Sequence, residues 1–187
     1  MKHSIVRETI IETASELFYQ KGYNLTGINE IIKEAGIAKA TLYNHFKSKD
    51  DICLAYLEHK NSAFLKELED FISSKPKGKG QILAIFDFLE LFYNSKDFNG
   101  CWCINTVSEL PKEDDKIRSE IQEQKKQFLE FIEKIVRRTS PDKPTQENTF
   151  LASQIYLIYE GALSESYLHQ DAWPIESAKK LCKRILE

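Results

Sequence analysis

Turn-forming residues are scarce in this chain: seven glycines and five prolines in 187 residues leave long stretches without a break, which argues against an architecture of many short strands and tight turns. Long apolar runs are missing too. None approaches the ~20 residues of a membrane span, so no membrane-embedded segment is expected, and the start at Met1-Lys2-His3 leads into a charged segment rather than a targeting leader. Neither sign of charge dominates, with 26 basic against 29 acidic residues and a net charge of −3; coating nucleic acid over the whole surface is excluded, and any such binding must come from a local patch. Cys53, Cys101, Cys103 and Cys182 are scattered, which predicts reduced thiols in a cytoplasmic protein rather than a disulfide framework. Cys101 and Cys103 lack the second pair that a metal site requires. The four histidines are dispersed, and there is no nucleophile constellation and no glycine-rich phosphate loop. Neither an enzyme nor a bound metal or cofactor is expected. What the chain does have is a 42% hydrophobic and 11% aromatic content, enough for a sizeable core.

The unbroken segments read at helical period, predicting an all-α fold of about nine helices. Ile10, Ala14, Leu17 and Phe18 form one stripe over Ser4–Lys21, and Gly22 ends it. Ile28, Ile31, Ile32 and Ala35 repeat the pattern over barely two turns, from Gly27 to Gly36. A third short helix, Lys39 to His45, points Leu42 and Phe46 inward. Gly36-Ile37-Ala38 reverses the chain between the two short helices, with Gly36 free to take positive φ. A supporting helix followed by two short helices joined by a glycine turn is a helix-turn-helix unit.

In that geometry the second short helix enters the DNA major groove, and its outward residues should be small, polar or basic. Lys39, Ala40, Thr41, Tyr43, Asn44 and His45 fit. Lys33, Lys39, Lys47 and Lys49 against Glu34 make the stretch locally positive, suited to neutralising phosphates.

The pieces ELFYQKGY (16–23), Thr26, Ile28, Ile31 and EAGIAKATLYNHFKSKDDI (34–52) resemble the N-terminal grammar of the TetR family of bacterial regulators. The resemblance implies phosphate contacts from Tyr43 and Lys49, a DNA-contact role for Thr26, and structural roles for Gly36, Leu42 and Phe46. The chain departs from the family pattern in three places: Ala38 replaces a usual capping serine, Gly27 a usual serine or threonine, and Ala40 a frequent glycine.

Residues 1–48 are therefore expected to form a DNA-binding head and residues 49–187 an effector-binding and dimerisation body, with 49–73 a connecting helix capped by Ser48. Helices are expected over Gln81–Asn94, Cys101–Leu110, Asp114–Arg138 and Gln146–Gln170, with a last one after Pro174. The segment Gln146–Gln170 carries two apolar stripes and must be covered on both sides. Two operator half-sites favour a two-fold dimer. The resemblance places it on the last two helices, with Leu151, Ile155, Ile158, Ala162, Leu181 and Ile185 as interface candidates. It also makes GCWCINTVSEL (100–110) the helix beside a sensor pocket. Phe86, Leu89, Tyr93, Trp102, Asn105, Phe128, Tyr156 and Tyr159 are the lining candidates, with Glu109 and Glu160 as further polar anchors. The function expected is a repressor released from a palindromic double-stranded DNA operator by a small molecule. A thiol-based redox regulator acting through Cys101 and Cys103, or an architectural DNA-binding protein, are the alternatives.

Overall fold

The computed structural model describes residues 2–113 and 115–187; Met1, and Asp114 where a helix start was expected, lie outside them. Nine helices and no strand occur among the described residues: α1 (Lys2–Lys21), α2 (Ile28–Glu34), α3 (Lys39–His45), α4 (Lys49–Ser73), α5 (Lys79–Tyr93), α6 (Trp102–Ser108), α7 (Asp115–Thr139), α8 (Thr145–His169) and α9 (Trp173–Ile185). Chain contacts divide them into two compact units. One comprises Met1–Ala63 with Trp102–Gln124, the other Phe64–Cys101 with Lys125–Glu187, so α4 and α7 each contribute to both.

In the first unit the apolar stripe of α1 roots the short helices. Ile10 and Ala14 are fully buried and Phe18 nearly so, and Ile31 of α2 and Leu42 of α3 are fully buried in the same unit. Phe18 packs its ring on Tyr23 and on Tyr56, both at 5.6 Å. Burying such side chains stabilises by about 1.5–3 kcal/mol each, which offsets the weak intrinsic stability of two-turn helices. The expected start of α4 holds: the Asp51 N–H donates to Ser48 Oγ at 3.1 Å, and Asp50 and Asp51 lie in the first turn, where carboxylates suit the helix dipole.

In the second unit α8 and α9 run along each other with α5 against both. Their shared core includes Ile82, Ile85, Phe86, Leu89, Ile155, Tyr159, Leu163, Ile175 and Cys182. Burial pushes the Cys182 thiol up to about 12, so it behaves as a packed apolar group.

Candidate nucleic-acid interface

The geometry of the head follows from two turns. Gly36 takes φ +64°, closing α2 through its N–H to the Lys33 carbonyl at 3.1 Å and the Ile37 N–H to the Ile32 carbonyl at 3.2 Å; an L side chain would strain this left-handed bend. The chain then enters α3 at Ala38, an extended residue that caps the helix without a side-chain bond, as its missing hydroxyl dictates. Leu42 at 0% exposure and Phe46 at 4% anchor α3 from below. Arg7 holds its guanidinium 5.1 Å from the Phe46 ring, a cation–π contact that fastens the C-cap of α3 to α1.

With α3 rooted in this way, its other face is open. Lys39, Ala40, Tyr43 and Asn44 are exposed, while Thr41 and His45 are half-buried at the flanks. Lys49 sits at the start of α4 with its ammonium 4.2 Å from the Tyr23 ring, and partial burial lowers its pKa from the usual lysine range. Thr26 departs from expectation. It is fully buried, and its hydroxyl reaches the Leu17 carbonyl at 3.2 Å and the Gly22 carbonyl at 2.8 Å. Its side chain is therefore part of the scaffold under the loop and is not presented to a ligand, because a hydroxyl sealed in the core must find its partners there.

Sequence patterns and known folds identify the architecture. The family model described as "Bacterial regulatory proteins, tetR family" matches residues 10–56. A second, "Tetracyclin repressor-like, C-terminal domain", matches residues 78–182. The chain belongs to the TetR family. Its members are DNA-binding transcriptional regulators, not enzymes. Among relatives, the fatty acid metabolism regulator protein of Bacillus subtilis is 29% identical over 68% of this chain and 64% of its own length. The repressor NemR of Escherichia coli is 23% identical over 96% of this chain and 93% of its own. A TetR-family regulator from Streptomyces coelicolor shares the fold, with a TM-score of 0.86 at 24% identity over 97% of this chain and 88% of that one. The reduced form of E. coli NemR also superposes with a TM-score of 0.86, at 21% identity over 96% and 95% of the two chains.

The other expected site residues distribute unevenly. Within the second unit, Phe128 packs on Tyr159 at 4.9 Å and on Tyr156 at 6.0 Å, and Phe86 lies 6.2 Å from Tyr159. Phe64 joins this cluster at 5.3 Å from Phe128 and links it to Phe88 at 5.9 Å. Neither is among the expected lining residues, although the seven-residue spacing of Phe64 to Phe71 is visible in the sequence. Leu89 is fully buried on the same helix as Phe86. Tyr93 packs instead on Phe98, at 5.2 Å, and Trp102 and Asn105 belong to the first unit. Both expected acidic anchors are engaged by protein groups. Glu160 accepts from Lys125 Nζ at 2.8 and 2.7 Å through its two oxygens, and Glu109 accepts backbone N–H groups of Tyr23 and Asn24. The Tyr159 phenol is raised far above its ordinary range, chiefly by burial and secondarily by Glu160.

The expected dimer stripe also needs correction. Leu151, Ile155 and Ala162 are buried within the protomer and Ile158 half-buried, so this side of α8 serves the unit's own core. The open apolar face of α8 lies one residue round the helix: Phe150 is 66% exposed, Leu157 67% and Leu168 70%. Gln154, Gly161 and Ser164 fill the intervening positions, giving alternate spacings of four and three residues, the spacing that paired helices use. A Cβ on Gly161 would meet open space. On α9, Trp173 at 50% and Leu181 at 47% are the open apolar residues, while Ile185 is half-buried.

Proposed function

We propose that this protein is a homodimeric repressor whose α3 helices read the two halves of a palindromic operator, and that a small molecule releases it. The observation that carries this reading is the α3 face. Lys39, Ala40, Tyr43 and Asn44 stand open to solvent on a helix fixed from below by Leu42 and Phe46, in a chain whose overall charge is −3. Side chains held on a rigid helix suit direct readout of base edges. Tyr43 and Lys49 serve the phosphates, and Lys39, Thr41 and Asn44 the bases, with Ala40 admitting close approach and His45 flanking. Repression is the activity named for the NemR relative. Pairing through the open seam of α8 with Trp173 and Leu181 of α9 would bury an apolar stripe that water otherwise covers. The aromatic cluster of Phe86, Phe128, Tyr156 and Tyr159, with the Lys125–Glu160 pair, supports an effector site in the second unit.

The test is an unbiased selection of DNA fragments by the intact protein. Enrichment of an inverted repeat is expected; equal retention of all sequences at physiological salt would leave the architectural alternative.

A second reading is favoured by one contact. Lys125 Nζ lies 3.2 Å from Cys101 Sγ, and an ammonium beside sulfur is the setting in which thiols react. Cys103 instead engages Gln124 Oε1, at 3.7 Å. Thiol-based control would make DNA binding peroxide-sensitive, with the sensitivity lost in Cys101→Ser; unchanged binding after peroxide would dismiss it.

A further inference from the structure

We propose that Glu109 is a positioning residue for DNA binding, its carboxylate fixing the loop that sets the start of α2. This rests on the reading of the head as the DNA-binding element. Glu109 closes the last turn of α6, its N–H bonding to the Thr106 carbonyl at 3.2 Å. From there its two carboxylate oxygens receive the N–H of Tyr23 at 3.2 Å and the N–H of Asn24 at 2.7 Å. The Asn24 side-chain amide returns a bond to the Glu109 carbonyl at 2.9 Å. Three hydrogen bonds thus join residues 85 and 86 positions apart, two of them to a charged acceptor, the stronger class.

The loop is shaped to receive this group. Gly22 adopts φ +91°, a conformation that favours glycine, and a Cβ there would stand 2.3 Å from Glu109 Oε1 and push the carboxylate out of its place. Successive backbone N–H groups after such a bend form a concave anion-binding nest, and here the anion is the protein's own carboxylate. The loop is gripped from its inner side as well, where the buried Thr26 hydroxyl bonds the Leu17 and Gly22 carbonyls. Tyr23 extends the grip to α4, its hydroxyl donating to Asp50, and Lys116 pairs with Asp51 at 2.7 Å.

Local structure makes the loop matter for α2. The N-cap of α2 is Gly27, which offers no side-chain bond. The first turn is held instead by the Glu30 carboxylate, which accepts the Gly27 N–H and pairs with Lys21, and by the loop from Gly22 to Thr26 that leads into it; α3 follows through the Gly36 turn. Glu109 touches no base and no phosphate in this account; it acts through the Tyr23 and Asn24 amides.

The test compares Glu109→Ala and Glu109→Gln with the unaltered protein, using a DNA fragment that the unaltered protein selects and a random duplex. Loss of both bonds in Glu109→Ala should weaken the selected fragment about tenfold, and the single remaining acceptor in Glu109→Gln should give a smaller loss of about threefold. The salt dependence should keep its slope, because no phosphate contact is removed. Hydrogen exchange should quicken at the Tyr23 and Asn24 amides while those of Ile31 and Leu42 stay protected, which separates a loosened loop from an unfolded head. Unchanged affinity in both variants, or unchanged exchange at Tyr23 and Asn24, overturns the proposal. Should Glu109→Ala fail to fold, Glu109→Gln carries both measurements. If the unaltered protein selects no sequence, the DNA-binding reading fails instead, and the exchange measurement still decides the role of Glu109 in the loop.

Discussion

Leu157→Ala tests the surface proposed to pair two protomers apart from the surface that packs one. The substitution removes three carbons, worth about 0.8 kcal/mol each when fully buried. Leu157 is 67% exposed in the protomer, so a partner would bury about two thirds of that value, ~1.6 kcal/mol. Two-fold symmetry counts the contact twice, which gives ~3 kcal/mol, or roughly a hundredfold in the dimer dissociation constant. Thermal stability of the protomer should hardly move. Ile155→Ala should do the reverse: the side chain is at 0% exposure, and its truncation should cost about 2–5 kcal/mol of folding stability, with a far smaller effect on association. Sedimentation equilibrium over a dilution series gives the first quantity and denaturant unfolding of the protomer the second. The reasoning is refuted if Leu157→Ala leaves the dissociation constant within twofold of the original, or if Ile155→Ala weakens association more than Leu157→Ala does.

Two further outcomes are expected in the head. Ala38→Ser supplies the hydroxyl that α3 lacks at its N-cap and should stabilise the head by about 1 kcal/mol, read as a raised denaturation midpoint; a fall would mean that Ala38 is held in a pose a capping serine cannot share. Lys49→Gln should weaken selected and random duplexes by similar factors and reduce the slope of log affinity against log salt by about one; a change in base preference with an unaltered slope would remove Lys49 from the phosphate contacts.

The head was largely legible in the sequence because its constraints are local. Gly36 marks a turn that few residues can make, Leu42 and Phe46 are the apolar residues of a short polar stretch, and Ser48 precedes two aspartates; each signal depends only on near neighbours. The limits appear where a side chain's fate depends on distant segments. Thr26 carries the residue type of a surface contact, yet its hydroxyl folds back on α1, which no spacing within α2 reveals. On α8 apolar residues surround much of the helix, so period alone left two stripes equivalent. The stripe of Leu151, Ile155, Ile158 and Ala162 is the one the resemblance assigns to the interface, whereas packing with α5 and α9 turns Ile155 inward and leaves Phe150, Leu157 and Leu168 outside. Glu109 is expected as a pocket anchor because acids beside a sensor helix suit that purpose, whereas its partners, the Tyr23 and Asn24 amides, lie 86 and 85 residues away. The aromatic side chains of the second unit were visible individually, but only the fold divides Phe128 and Tyr159 from the separate contact of Tyr93 with Phe98.

Whether the open face of α3 reads sequence is decided by repeating the DNA selection with Asn44→Ala and Lys39→Ala beside the unaltered protein. An inverted repeat with half-sites about one helical turn apart is expected for the unaltered chain. Each variant should relax the preference at particular symmetric positions, by about 1–3 kcal/mol per lost base contact. Identical enriched sequences from all three proteins, with the same preference at every position, would contradict it.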